Sequence, residues 1–551
     1  MHDSKWYPHQ PTIENHPQKN WIYYLSRRFI IDPNLMFWLF LQGYNTEHKI
    51  ENLFFPSTES FHDPFLLNDM EVAVTRILKA IHNNEKIMIF GDYDADGITS
   101  TTLLYKGLKE VNSNVNFRLP LREEGYGISA AAVEQIAAQD FGLIITVDNG
   151  SSAHPAMKKA KEKGIDIIVT DHHDILGEYP DCLAFINPKR QDSTYPFNDL
   201  CGAGVALKLM EAIFKTLKRN WYYEMGDYIE LATIGTIADL VSLTNENRAI
   251  CHVGLKKMNM SPQSILQRMF QVLKLSYIDS SSIGFQIGPI LNSVGRVDNP
   301  NIAVSILCNS QTSENEIRNL IAYNQKRKDM TIEQYMNAEK QIIEYQLNKE
   351  QVIVVYGDFN KGIIGIIASR ISEKYKKPSI VISSCGTASC RGVNGTDFSM
   401  INTLTRCSHF FDKYGGHKAA AGFSINPEVI DSFKIAVQHS AEKEGLKIPV
   451  KQFLCLLPIS TYNHEFTKDL QAIEPFGMGF PKPLFYSGRL KITSAQTFGQ
   501  NNAHLSFAIG KNRVFAFSKG EYANRIINKE MGFLYSVQNN YFSAEDIKYI
   551  N

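Results

Sequence analysis

Lys86-Ile-Met-Ile-Phe90 leads into Gly91-Asp-Tyr-Asp-Ala-Asp-Gly97, Phe141-Gly-Leu-Ile-Ile-Thr-Val147 into Asp148-Asn-Gly-Ser-Ser152, and Ile165-Asp-Ile-Ile-Val-Thr170 into Asp171-His-His-Asp174. Each is a short apolar run that ends on carboxylates or histidines. Such runs, rich in β-branched residues and bounded by turn signals, predict buried strands of a parallel sheet. Helical spacing between them, at Ile98 to Val111 and Ala130 to Gln139, completes a βα alternation. Ligands of parallel sheets bind just beyond the carboxyl ends of the strands. Asp92, Asp94, Asp96, Asp148, Asp171, His172 and His173 are therefore expected to converge on one edge. That many acids in one place repel one another unless cations neutralise them, so the pattern predicts a metal site.

Asp94-Ala-Asp96 is expected in a tight turn whose glycines, Gly91 and Gly97, let the backbone approach a ligand closely. The i, i+2 spacing lets two carboxylates hold different cations, or lets one bridge. Asp148, from the next strand, is placed to bridge, and His172 supplies an imidazole. Asp171 is either a ligand or the group that orients His172. Asp239, in Ile234-Gly-Thr-Ile-Ala-Asp239, is a further ligand candidate. Mixed carboxylate and imidazole ligands favour Mn²⁺ or a similar ion over Mg²⁺. Two such ions about 3.5–4 Å apart would serve a phosphoryl transfer. Alone, an Asp-x-Asp is usually a solvated turn and a His-His pair a packing feature; their placement after three successive strands carries the inference.

A chain of 551 residues is too long for one hydrophobic core. The expected division is an N-terminal helical segment (1–65), an α/β domain (66–245), a helical extension and connecting helix (246–348), a second α/β domain (349–450) and a small β-barrel (451–551). Residues 310 to 348 contain no Gly or Pro and predict a long helix, with two shorter kinked helices as the alternative. Gln351-Val-Ile-Val-Val-Tyr-Gly357 and Pro378-Ser-Ile-Val-Ile-Ser383 read as strands around a helix that includes Ile363 to Arg370. After Glu474-Pro-Phe-Gly477, alternating segments at 488–493, 503–508 and 513–517 suit an antiparallel barrel. The last stretch, 521 to 551, carries no motif that can be interpreted.

Lys+Arg and Asp+Glu are both 57, whereas a duplex-coating protein is usually basic overall; the balance counts mildly against nucleic acid, and any such role needs local basic patches. The eight cysteines include no C-x-x-C pair, which argues against zinc ribbons and disulfide frameworks and fits a reducing cytoplasm. The N-terminus lacks a signal-peptide profile. Leu35 to Leu41, the longest aromatic-rich apolar stretch, is far short of the roughly 20 residues that span a bilayer. A soluble, cytoplasmic protein with no membrane partner is expected.

Asp92-Tyr-Asp-Ala-Asp-Gly97, Val147-Asp-Asn-Gly150 and Asp171-His-His173 resemble the first three motifs of the DHH phosphoesterase family, and Asp239 in Gly235-Thr-Ile-Ala-Asp239 its fourth. Further segments are similar to its RecJ branch of single-stranded-DNA-specific 5′→3′ exonucleases. They are 120–127, Cys201-Gly-Ala-Gly-Val-Ala206, Asn292-Ser-Val-Gly-Arg296, 361–370, 414–422 and Ile473-Glu-Pro-Phe-Gly477, and the likeness runs from roughly 65 to 520 in the family's order. The resemblance implies a DHH domain, a DHH-associated α/β domain joined to it by a long helix, and an OB-fold. It implies two Mn²⁺ or Mg²⁺ ions on Asp94, Asp96, Asp148, His172 and Asp239, with Asp92 and Asp171 as ligand or supporting candidates. His173 would touch the scissile phosphate and act with Asp148 in catalysis. Arg122, Arg296, Ser389 and Arg391 would bind substrate phosphates, with Gly415, Gly416 and His417 lining the opposing wall; guanidinium forks match phosphate oxygens and a Gly-Gly pair exposes backbone N–H groups. The chain departs from the family's pattern at Ile290, Asn360, Gly392 and Phe480, none of them a metal-ligand candidate.

The expected function is metal-dependent 5′→3′ degradation of single-stranded DNA to mononucleotides in DNA repair and recombination. Single-stranded DNA is the expected partner, a single-strand-binding protein and a helicase are candidate protein partners, and the expected state is a monomer. Phe507 and Phe515 are candidates for base stacking in the OB-fold. The alternative is a DHH-family phosphodiesterase of short oligonucleotides or cyclic dinucleotides, against which the extra C-terminal residues argue. A non-enzymatic relative with a decayed site fits poorly with a full set of acids and histidines.

Overall fold

The computed structural model describes the whole chain except residues 1–4, 10, 57–59, 112–113, 176, 225, 261–264, 445–449, 460–463, 500–501, 539–540 and 550–551. The chain divides into two compact units. One comprises Trp6–Leu119, Gly127–Gly288 and Lys451–Asn551; the other is built on Pro289–Val450 with Met1–Lys5 and the loop Pro120–Tyr126.

The N-terminal stretch is not wholly helical. It opens on β1 (Lys5–Pro8), which pairs with β12 (Val450–Phe453), before the helices Lys19–Phe29, Pro33–Leu41 and Glu47–Phe54. Within the first unit, β2 (Ile87–Phe90), β3 (Val115–Arg118), β4 (Leu143–Val147), β5 (Asp166–Thr170) and β6 (Ala184–Ile186) form an all-parallel sheet in the order β3-β2-β4-β5-β6. Every residue of β2 and β4 is buried, which is why these strands read as unbroken apolar runs. Register fixes where they end. Phe90 lies opposite Thr146 and Val147 opposite Thr170, so Asp92, Asp148 and Asp171 leave the sheet on one edge.

The first acidic motif departs from the expected turn. The Asp94 side chain accepts from Asp96 N and Gly97 N and caps a helix, Ala95–Glu110, which begins three residues before Ile98. The motif's glycines make room for the chain itself. A Cβ at Gly91 would lie 2.0 Å from Thr101 Oγ1, and one at Gly97 2.4 Å from Asp92 O. That helix packs against Gly202–Thr216 and Tyr228–Ala238, and the latter packs on Asn245–Met260.

Glu230 lies in this helical layer, fully buried, and neither carboxylate oxygen finds a hydrogen-bond partner among the described residues. Burial and then the nearby Asp227 carboxylate push it up to about 7. The folded chain therefore holds this proton more tightly than the unfolded one. Stability from the protonated form is complete below the ordinary value and falls as pH rises towards 7. Glu230→Gln should match the wild type at pH 4.5 and melt several degrees higher at pH 8, a gain of about 2–3 kcal/mol. An equal difference in Tm at the two pH values would show that Glu230 does not titrate in this way.

The same unit ends in a seven-stranded sheet of β13 (Phe485–Tyr486), β14 (Leu490–Lys491), β15 (Ala495–Phe498), β16 (His504–Ile509), β17 (Asn512–Ala516), β18 (Glu530–Val537) and β19 (Phe542–Tyr549). Its two longest strands, β18 and β19, come from the stretch that carried no readable motif, and they pair along their whole length. Phe507 is part of this core, not a stacking surface.

The other unit holds β7 (Ile353–Gly357), β8 (Ser379–Ser383), β9 (Thr387–Arg391), β10 (Phe411–Gly416) and β11 (Ala420–Ile425) in the order β10-β11-β9-β8-β7. Only β7 and β8 are parallel. Ile353, Val355, Ile367 and Val381 pack on one face with Ile342, while Val354, Ile380, Phe423 and Phe433 pack on the other. The long helix is a single element, Glu314–Glu344, about 46 Å long. It starts after Ser310–Thr312 because Ser313 and Glu316 form a capping box. Among the described residues, no helix is long and apolar enough to cross a membrane.

Candidate metal centre

The edge beyond β2, β4 and β5 gathers the expected acids. Asp92, Asp94 and Asp148 bring one ligand atom each within 4.8 Å of one another, and so do Asp96, His172 and Asp239, and Asp148, His172 and His173. Asp92, Asp96, Asp148 and His172 are buried. Asp239 arrives from the C-terminal end of the helix Tyr228–Ala238. Asp148 belongs to two of the groups and holds a left-handed backbone (φ +61°), anchored by its N–H on Thr170 O. A non-glycine residue in that conformation costs on the order of 1 kcal/mol, which the surrounding packing offsets.

His172 Nε2 lies 3.1 Å from Asp148 Oδ1, 3.6 Å from Asp239 Oδ2 and 3.7 Å from Asp96 Oδ2. Among the described residues, neither of its ring nitrogens finds a hydrogen-bond partner. Burial, followed by the charge of His173, pushes the ring down to about 3, so it is a neutral imidazole with a lone pair. Burial, then Asp96 and Asp94, lifts Asp148 well above the carboxylate range. Asp96 is pushed up to about 6 and Asp239 to about 8, each by burial first and neighbouring carboxylates next. Carboxylates that hinder one another's ionisation around a neutral imidazole are a donor set suited to divalent cations.

Asp171 behaves differently. Its Oδ1 accepts from His172 N (2.7 Å), His173 N (3.2 Å) and His173 Nδ1 (2.7 Å), and its Oδ2 from Ser151 N (2.9 Å). Burial alone would raise it, but these donors and the His173 charge hold it well below the usual carboxylate range. Asp171 in turn overcomes burial and holds His173 up at about 9. Asp171 stands in none of the three ligand groups; its place is that of an orienting anion.

The supports that the sequence did not single out are backbone groups. Gly202 N and Ala203 N, at the start of the helix Gly202–Thr216, donate to Asp96 Oδ2 (2.6 Å) and Oδ1 (2.9 Å). A carboxylate there meets the positive end of the helix dipole. Cys201-Gly-Ala-Gly was the available signal, although nothing in it names Asp96 as its target. Asn149 Nδ2 ties Phe90 O to Val147 O, and Asn187 Nδ2 holds His173 O.

The candidate substrate-binding residues lie in the other unit. There Arg122 Nε donates to Gly295 O (2.9 Å), Arg296 Nη1 to Gly362 O (2.7 Å), and Arg391 Nη1 to Ser389 Oγ (3.0 Å). A Cβ at Gly365 would sit 2.9 Å from Arg391 Nη2 and 3.1 Å from Ser389 Oγ. Three guanidinium groups thus cluster about the start of the helix Ile364–Tyr375. Gly415 and Gly416 end β10, Gly416 with φ +138° against Ala421, and the exposed His417 donates its N–H to Ala420 O. Ala421 in turn lies opposite Cys390, so these residues share a sheet end with Arg391.

The four departures have local roles. Ile290 is core. Asn360 Oδ1 accepts from Gly362 N (2.8 Å), and Gly392 N donates to Ala419 O (2.8 Å). Phe480 is fully buried against Trp38 and Phe476, beneath the Arg248 guanidinium.

Comparison with known proteins adds three family matches: the DHH family, N-terminal domain (residues 86–236), the DHHA1 domain (349–443) and the RecJ OB domain (455–547). The chain is 31% identical over 528 residues to the single-stranded-DNA-specific exonuclease RecJ of Bacillus subtilis, covering 93% of this chain and 66% of that protein. It therefore spans a little under two thirds of that relative's length. It is 31% identical to the RecJ of Salmonella typhimurium and 32% to that of Haemophilus influenzae, covering 80% and 83% of those proteins and 79% and 82% of this chain. Among solved structures, RecJ in complex with Mn²⁺ from Thermus thermophilus matches with a TM-score of 0.83 at 24% identity, over 99% of this chain and 80% of that one. Exonuclease RecJ bound to manganese matches with a TM-score of 0.59 at 28% identity, over 68% of this chain and 95% of that one.

Proposed function

The chain belongs to the RecJ family, and on that premise we propose that it is a divalent-metal exonuclease that degrades single-stranded DNA from the 5′ end to mononucleotides, in DNA repair and recombination. The observation that carries this reading is the convergence of three carboxylates on the neutral His172 ring. Asp92, Asp94 and Asp148 would hold one Mn²⁺ or Mg²⁺ ion and Asp96, His172 and Asp239 a second, with Asp148 in reach of both. Such ions, when bound, supply Lewis acidity to phosphate oxygens and make water more acidic.

The protein's own groups do the rest. Asp171 fixes Nδ1 of His173, so the half-exposed ring presents its far edge to the scissile phosphate in one orientation. Gly202 and Ala203 N–H groups keep Asp96 from swinging. Arg122, Arg296, Ser389 and Arg391 would grip substrate phosphates near the 5′ end, and Gly415, Gly416 and His417 would line that subsite. Single-stranded DNA is the substrate on this reading, a helicase and a single-strand-binding protein are the partners that would present it, and the monomer is the working form. A cytoplasmic setting is supported by the cysteines: all eight are described, and no disulfide joins any of them.

The test is degradation of 5′-labelled against 3′-labelled single-stranded DNA, with Mn²⁺ and with chelator. Immediate release of the 5′ label as mononucleotide, in the presence of metal alone, is expected. Release of the 3′ label first would overturn the polarity. Hydrolysis of dinucleotides in preference to the long strand would replace the exonuclease with a small-substrate phosphodiesterase.

A further inference from the structure

Three large apolar side chains stand in solvent on segments that meet at the turn following Asp239: Leu240 is 65% exposed, Phe285 84% and Met478 58%. Leu240 is held by a strained backbone, and the other two lie in irregular turns. Leu240, next to the ligand candidate, adopts φ +62°. Phe285 sits in a π-helical turn, Ile283–Ile287, a form that recurs at functional sites. Met478 lies at the tip of a tight turn in which Gly477 pairs with Phe480 and Gly479 takes φ +71°.

The segments are tied together. The π-helical turn packs on the helix that ends at Asp239, where a Cβ at Gly288 would lie 3.2 Å from Ala238 Cβ. Leu243 N donates to Met478 O (2.8 Å), and a Cβ at Gly479 would lie 2.2 Å from Ser242 Oγ. Ser280 Oγ donates to Phe476 O (2.7 Å), and Ser242 N to Asp199 Oδ2 (2.9 Å). Exposed apolar surface on a rigid frame beside a reaction centre marks a binding surface.

Resting on the function proposed above, we propose that Phe285, with Leu240 and Met478 beside it, forms a ledge on which unpaired bases next to the scissile phosphodiester stack, so that it selects single strands. Continuity with the metal centre identifies the occupant. The chain runs directly from Asp239 to Leu240, so a strand whose phosphate engages cations held by the acids would bring its neighbouring bases to these side chains. An unpaired base has free π faces to lay on an aromatic ring. In a duplex those faces are already stacked and the partner strand occupies the space.

The experiment compares Phe285→Ala and Phe285→Trp with wild type in the full chain, with Mn²⁺. It measures KM and kcat on a single-stranded oligonucleotide, and the Ki of an equal-length strand with abasic residues in its first nucleotides. Phe285 is too exposed for its removal to disturb the fold. Phe285→Ala should raise KM about 10-fold with kcat within about twofold, and leave the abasic Ki unchanged. Phe285→Trp should keep the wild-type KM. An unchanged KM for Phe285→Ala, or an equal loss on base-bearing and abasic strands, overturns the ledge while leaving the exonuclease standing. Failure of the wild type itself to degrade the strand overturns the exonuclease reading.

Discussion

Asp148→Asn is expected to lower strand degradation by about 10³-fold or more while making the metal-free protein harder to melt. A loss of that size corresponds to roughly 4 kcal/mol of transition-state stabilisation, the scale of losing an ion-positioning anion. The opposite sign for stability follows from the surroundings. Asp148 is buried among Asp96, Asp94, Asp92 and Asp239, all of which disfavour its charge. A neutral amide of the same shape removes that repulsion, worth roughly 1–2 kcal/mol, and raises Tm in chelator. The gain should be larger at pH 8 than at pH 5. A carboxylate whose folded value is raised costs stability as pH climbs through it, and an amide does not titrate. Mn²⁺ should raise the Tm of the wild type by binding linkage and that of the variant far less. Retention of more than a tenth of the activity would remove Asp148 from the ligand set.

Gly202→Ala should lower activity about 100-fold without changing any ionisable group. Gly202 opens its helix with an ordinary φ, so alanine is not strained by the backbone. The obstacle is Asp148: a Cβ at Gly202 would sit 2.6 Å from Asp148 Cβ and 2.9 Å from its Cγ. Since Gly202 N also holds Asp96, one added methyl displaces two ligand candidates at once. A displacement of about 1 Å at a reacting centre commonly costs two orders of magnitude in rate, and overpacking adds about 1–3 kcal/mol of instability. Gly204→Ala is the matched control. The three atoms nearest its Cβ would all belong to Leu200, the first at 3.3 Å. Near-normal activity in both variants would show that the site relaxes around the methyl group.

The acids and histidines of the metal centre were legible because their placement is local. A buried parallel strand is a run of apolar residues, its end is a change of composition, and the sheet aligns those ends whatever the helices between them do. The long helix was legible for a similar reason, since absence of Gly and Pro is a local property, although its start needed the Ser313–Glu316 capping box to set it. The strands β18 and β19 were missed because Glu-Met-Gly-Phe-Leu-Tyr-Ser-Val and its partner lack the alternation that half-exposed strands show. All but the first residue of β18 are buried, so the period-2 signal vanishes.

By itself, then, the sequence pointed to the fold class and to the side chains that meet at the sheet edge, seven from the three strand-end motifs and Asp239 from a helix end. Tertiary structure alone decided how those side chains differ. Asp171 and Asp148 stand at equivalent strand ends, and the sequence left open whether Asp171, like Asp148, is a ligand. Yet one is clamped by Ser151, His172 and His173 as a fixed anion, and the other is crowded by acids that resist its charge. The difference comes from which groups the fold brings near: the Ser151 N–H and the two histidines for Asp171, and Asp92, Asp94, Asp96 and Asp239 for Asp148. A carboxylate's ionisation depends on which charges and donors lie within a few ångströms, and no local pattern records that.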